Sequence, residues 1–104
     1  MNYIYTLNEE LEKYRYWVIY GCGVAATELY MMLVEKGGHV DYFCDLDESC
    51  IGRSLFNKSV ISIDKVKEFD QDACLIVCRE YMPAIMEELE RYHINNIFAQ
   101  SVGD

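Results

Sequence analysis

The residues best suited to chemistry in this 104-residue chain gather in one stretch, GCGVAATELY, Gly21 to Tyr30. Two glycines flank a cysteine directly after the apolar run Trp17 to Tyr20. The spacing Gly21-x-Gly23-x-x-Ala26 matches the G-x-G-x-x-A form of the dinucleotide-binding fingerprint. Gly21 lets the chain turn sharply off a strand. Gly23 has no side chain, so a phosphate can approach the backbone, and Ala26 lets a helix pack close to the strand. The helix mouth, through Cys22 and Val24, offers unpaired N–H groups and the positive end of its dipole to an anion. Asp45 stands where the next strand should end, 24 positions after Gly21. There a carboxylate can accept hydrogen bonds from a ribose diol and repel a 2′-phosphate, which favours NAD over NADP. Equally, Asp45 can simply begin a turn. Arg79 and Glu80 follow the run CLIVC at the same rim; Arg79 suits a phosphate or a sugar, or merely a surface carboxylate. The expected cofactor-binding set is therefore Gly21, Cys22, Gly23, Val24, Asp45 and Arg79.

No catalytic residue emerges beside this set. Cys22, at a helix N-terminus, could have a lowered pKa and react, or could be only a small residue tolerated between glycines. Asp47 reads as solvated. His39 and His93 read as loop residues without a carboxylate partner at meaningful spacing. No Tyr-x-x-x-Lys pair occurs. Ile19 and Tyr20 stand where methyltransferases usually carry an acid before their glycine loop. The chain is not expected to be an enzyme by itself. Its five cysteines form no Cys-x-x-Cys pair, and the odd number argues against a disulfide framework. Metal-ligand spacing is absent, so no metal is expected.

These residues need a frame, and composition supplies one. Apolar residues make up 52%, ample for one core. The net charge is −9 and the nine basic residues are scattered, so nucleic acid is not expected, and the small nucleotide ligand that the glycine motif suggests must be held by a local site against the overall field. No apolar run approaches the ~20 residues of a bilayer span, and the N-terminus lacks a signal-peptide pattern, so the expectation is a cytoplasmic chain without a membrane partner. Residues 1–104 read as one domain, with an N-terminal helical extension over 1–15 and a core over 16–99. In the extension, 7–15 is helix-like, with Thr6 and Glu9 placed for a capping box. Trp17 to Tyr20, Val40 to Cys44, Ser59 to Ile61, Cys74 to Cys78 and Ile97 to Ala99 read as strands. Helices are expected over 24–36, over IDKVKEF behind a Ser62 cap, and over PAIMEELERY behind Pro83. Phe56-Asn57 is a turn candidate, because Asn tolerates the left-handed conformation. This alternation predicts an α/β, three-layer, Rossmann-like fold: a mostly parallel sheet in the order 3-2-1-4-5, helices on both faces.

The segments IYGCG, YFCDLD, NKSVIS, LIVCRE and HINNIF resemble the small Rossmann-like domains of bacterial sugar and surface-polysaccharide enzymes. The likeness covers about residues 16 to 99. It is to the N-terminal domain of PglD-type sugar acyltransferases and to CapD-like nucleotide-sugar dehydratases. The resemblance implies that Gly21, Cys22, Gly23 and Asp45 border a nucleotide or UDP-sugar. It also implies an accessory or regulatory role in polysaccharide biosynthesis, with a parent polysaccharide enzyme as partner. A homodimer is a further possible assembly. The alternative is a structural or oligomerisation domain that keeps the fold without a ligand.

Overall fold

The computed structural model describes residues 2–3, 11–94 and 96–102. Its strands and α-helices, in chain order, are β1 (Asn2–Tyr3), β2 (Tyr16–Tyr20), α1 (Val24–Glu35), β3 (Tyr42–Cys44), β4 (Ser54–Leu55), β5 (Lys58–Ile61), α2 (Ile63–Phe69), β6 (Ala73–Cys78), α3 (Met82–Leu89) and β7 (Ile97–Gln100). They form one sheet in the order β1-β7-β6-β2-β3-β5-β4. Every neighbouring pair is parallel except β4 with β5.

Period-two alternation divides each central strand between two cores. Trp17, Ile19, Phe43, Cys74, Ile76 and Phe98 face α1 and pack with its Ala26, Leu29 and Leu33. Val18, Cys44, Leu75, Val77, Ile97 and Ala99 point the other way, onto Ile63 and Val66 of α2 and Met82 and Leu89 of α3. The result is three layers, with all six residues of β6 buried. The five expected strands keep the order 3-2-1-4-5 within a sheet that is longer by one strand at each edge.

Those edge strands were not expected. Each has two residues, too few to display an alternating pattern. β4 exists because Phe56 and Asn57 both take positive φ, 51° and 64°, and close a two-residue hairpin with Leu55 opposite Lys58. β1 pairs with the outer side of β7, Asn2 opposite Phe98, so residues 2–3 are strand rather than helical extension. Residues 4–10 lie outside the described residues, and with them Thr6, Glu9 and most of the expected 7–15 helix. Beyond Leu11 the chain makes a turn and a bend instead of continuing as helix: the Tyr14 N–H donates to the Leu11 carbonyl at 2.9 Å. The indole N–H of Trp17 donates to the same carbonyl at 3.0 Å, which ends the helical path there.

Ser62 caps α2 as expected, its hydroxyl accepting from the Lys65 N–H at 3.2 Å. The third helix is shorter than PAIMEELERY; after Leu89 it tightens into a 3-10 turn over Glu90–Tyr92 that ends on left-handed His93, φ 56°. β3 is shorter than Val40 to Cys44, because the Asp41 carboxylate accepts the Trp17 N–H at 2.8 Å where a ladder bond would begin. Among the described residues no helix is long and apolar enough to cross a membrane.

Candidate functional site

The carboxyl ends of β2, β3 and β6 converge on the mouth of α1. At the end of β2 the chain turns on Gly21, whose φ of +108° is a conformation that side-chain-bearing residues rarely adopt. The Gly21 N–H still donates to the Cys44 carbonyl at 2.6 Å, so the turn begins while the ladder to β3 is intact. Gly23 is the N-cap of α1, with φ −99° and no side-chain cap. A Cβ built there meets nothing within 4 Å, so the backbone is open to an incoming group. Val24 is 76% exposed. Ala26 is buried, and a Cβ on Gly21 would touch its methyl at 3.6 Å, the close helix–strand approach that the fingerprint requires.

A groove of about 320 Å³ opens beside this mouth. Val24, Ala25 and Glu28 of α1 form one wall. Cys78, Glu80, Tyr81 and Val102 form the other. It lies where the chain reverses direction between β2 and β6, the switch point at which open α/β sheets bind ligands. Glu80 is fixed in place: one oxygen accepts from the Cys78 thiol at 2.8 Å and the other from the Ser101 hydroxyl at 2.7 Å. These bonds hold its carboxyl below the usual range. Arg79 is exposed on the same 3-10 turn, Arg79–Tyr81, whose contribution to the groove wall is Glu80 and Tyr81. Sequence spacing brings Arg79 and Glu80 to this rim equally; which one lines the groove is decided by the turn.

On the other side of the mouth stands Asp45. It does begin a turn, one oxygen accepting the Asp47 N–H at 2.9 Å. Asp47 repeats the device, accepting from the Ser49 N–H at 2.9 Å and hydroxyl at 2.8 Å, and is held below the usual carboxylate range by those bonds. The loop folds back so that Cys50 reaches Cys22. The thiols of Cys22 and Cys50 and the Asp45 carboxylate all lie within 4.8 Å of one another, each half-buried. No spacing in the sequence announces this trio, because it depends on the path of the 45–53 loop. Its effect on Cys22 reverses the reactive-thiol expectation. Burial first, then Cys50 and Asp45, push the Cys22 thiol up to about 12, overriding the helix dipole.

The histidines lie elsewhere. His39 does have a carboxylate neighbour, Asp41, at 3.0 Å, and its ring stacks on Trp17 at 4.3 Å. This cluster sits at the start of β3, the end of the sheet opposite the glycine loop, and its bonds serve packing. His93 borders a small cavity of about 90 Å³ at the start of β6, with Val66, Asp70 and Asn96.

No protein-family model and no curated protein matches the sequence. Among solved structures, RSP, a Rex-family repressor, is similar to this chain with a TM-score of 0.54 and 20% identity over 86% of this chain. The chain spans 46% of that protein's length. At this identity the likeness shows the fold, and the chain is a Rossmann-like α/β unit. It also corrects two expectations. The structural neighbour is a repressor and not a sugar acyltransferase or nucleotide-sugar dehydratase, so the polysaccharide-enzyme resemblance is withdrawn, along with the UDP-sugar and the parent enzyme it implied. The segments that carried it, IYGCG and YFCDLD, are the glycine loop and second-strand end that any fold of this kind needs. The exclusion of nucleic acid is withdrawn too. The neighbour is a repressor of which this chain covers 46%, so net charge alone no longer excludes a nucleic-acid partner.

Proposed function

We propose that this chain is a dinucleotide-binding regulatory unit, without catalysis of its own, and that its ligand is NAD in one of its redox forms. The diphosphate would lie on the amides of Cys22, Gly23 and Val24 at the α1 mouth. The adenosine ribose would lie toward Asp45, whose charge disfavours a 2′-phosphate. The other half of the ligand would enter the groove lined by Glu28 and Glu80. Those carboxylates suit ribose hydroxyls and the cationic pyridinium ring of the oxidised form. Arg79, at the same rim, is the cation assigned to a phosphate oxygen.

The observation that carries the reading is the pair of glycines. Gly21 takes a backbone angle that turns β2 into α1, while Gly23 leaves the amides at that helix mouth uncovered beside a groove. A groove of about 320 Å³ is at the small end of ligand sites, enough for half a dinucleotide, with the remainder along the rim. That the same fold occurs in a repressor supports a regulatory rather than a catalytic role.

The test is a thermal-shift series with NAD+, NADH, NADP+ and S-adenosylmethionine. Ligand at 100 times its dissociation constant stabilises by about 2.7 kcal/mol. One of the NAD forms should raise the melting temperature, NADP+ less, and Asp45→Ala should remove the discrimination between NAD and NADP. A melting temperature unmoved by all four would reject the reading in favour of a ligand-free structural unit.

A further inference from the structure

The geometry points to a metal site, built from Cys22, Cys50 and Asp45, for a thiophilic divalent cation, with zinc as the occupant. The three ligand atoms come from three places: the glycine loop, the end of β3, and the loop beyond it. They already lie within 4.8 Å of one another. Tetrahedral zinc with Zn–S bonds of about 2.3 Å places two sulfurs about 3.7 Å apart, so the trio needs only a small contraction by side-chain rotation. Two thiolates and a carboxylate form a mixed sulfur–oxygen set that suits zinc, whereas magnesium and calcium require oxygen throughout. All three residues are half-buried, and water would supply the fourth ligand of a tetrahedral zinc.

Charge supports the assignment. With the thiols ionised the trio carries three negative charges, and zinc reduces that to one, which the positive end of α1 tolerates. The loop is braced in the required place. The Cys50 N–H donates to the Asp47 carbonyl at 2.9 Å, the Arg53 N–H to the Cys50 carbonyl at 3.2 Å, and the Gly52 N–H to the Val60 carbonyl at 2.9 Å. The site does not rest on the dinucleotide reading, although the two share Asp45 and Cys22, the latter through its amide in one and its thiol in the other.

The experiment uses the full chain, reduced and stripped with a chelator. Titration with Co2+ should produce a thiolate-to-cobalt charge-transfer band and intense tetrahedral visible bands, saturating at one metal per chain, and Zn2+ should displace them. Cys22→Ser and Cys50→Ser should each lose charge-transfer intensity, and Asp45→Asn should weaken affinity with both thiolates retained. A second measurement needs no variant: alkylation of the wild-type chain followed by mass spectrometry, where Zn2+ should slow labelling of Cys22 and Cys50 and leave Cys44, Cys74 and Cys78 unchanged. Cobalt that binds without a thiolate band, or alkylation of Cys22 and Cys50 at the same rate with and without zinc, would overturn the assignment.

Discussion

Gly21 and Gly23 look equivalent in the sequence and are not equivalent in the fold. Gly21 is required by backbone geometry: at φ +108° an alanine is strained, even though its Cβ would make only an ordinary contact with Ala26 at 3.6 Å. Gly21→Ala should therefore lower stability by about 1–2 kcal/mol, read as a fall in the urea midpoint with an unchanged slope. Gly23 has an ordinary φ of −99° and open space around it. Gly23→Val should change stability by less than about 1 kcal/mol, the scale of an N-cap preference, yet abolish any stabilisation by NAD. If Gly23→Val retains the full ligand-induced shift, the diphosphate does not lie on that loop. Residues of this kind were legible because turn chemistry is local. Asp45 was legible for the same reason as a turn former, and it begins a turn beside the glycine loop. Cys50 was not legible, since its meeting with Cys22 depends on a loop path. Nor was the direction of the Cys22 shift, where burial and a carboxylate outweigh a helix end that the sequence displays more plainly.

At the scale of elements, boundaries followed capping and turn residues closely where those residues were present. Ser62 is the clearest case, and Ser62→Ala should cost about 1 kcal/mol, because the Lys65 N–H at the first turn of α2 would lose its acceptor. Circular dichroism and urea unfolding would check it; an unchanged midpoint would mean water replaces the hydroxyl fully. Local signals did not fix every boundary. β1 and β4 are too short to carry a period, and the expected helix over 7–15, for which Thr6 and Glu9 offered a cap, gives way after Leu11 to a turn. One contact between elements was invisible in the sequence. Gly38, just past α1, sits so close to the Trp17 ring that a Cβ would fall 2.6 Å from Cζ3 and 3.0 Å from the Leu33 carbonyl oxygen. Trp17 is nearly fully buried and stacked on His39, and its indole is tied to Leu11, so it has little freedom to yield. Gly38→Ala should cost about 1–3 kcal/mol, the usual penalty of overpacking; at Gly37 nothing lies within 4 Å, and the same change meets backbone strain instead, because its φ is +88°. The glycine pair that reads as one helix stop thus has two functions.

For the whole molecule, alternation of strand and helix was enough to order the five central strands, because parallel pairs joined by right-handed crossovers leave few arrangements. The same burial that makes the sheet stable sets its response to alkali. Cys44 and Cys74 are fully buried on opposite faces, and burial, with Asp45 adding at Cys44, pushes each thiol up to about 12 from an ordinary value of 9.0. Below that ordinary value the thiols are protonated whether the chain is folded or not, and their preference for the buried neutral form is fully present. Above it the unfolded chain releases protons that the folded chain retains, so stability falls with each further rise in pH until the folded thiols titrate. Tyr20, raised by burial and by Glu88, acts in the same sense above its ordinary 10.0. The carboxyls held low, Asp47 and Glu80, are exposed and add little at the acid end. The urea midpoint should thus be nearly flat between about pH 7 and pH 8 and decline above about pH 9, by about 1 kcal/mol per pH unit for each thiol at the steepest. Cys74→Ala should start from lower stability because of the cavity, but decline less steeply. A wild-type profile with no steepening above the ordinary thiol range, or a Cys74→Ala profile of equal slope, would show that these thiols ionise as readily inside the sheet as outside it.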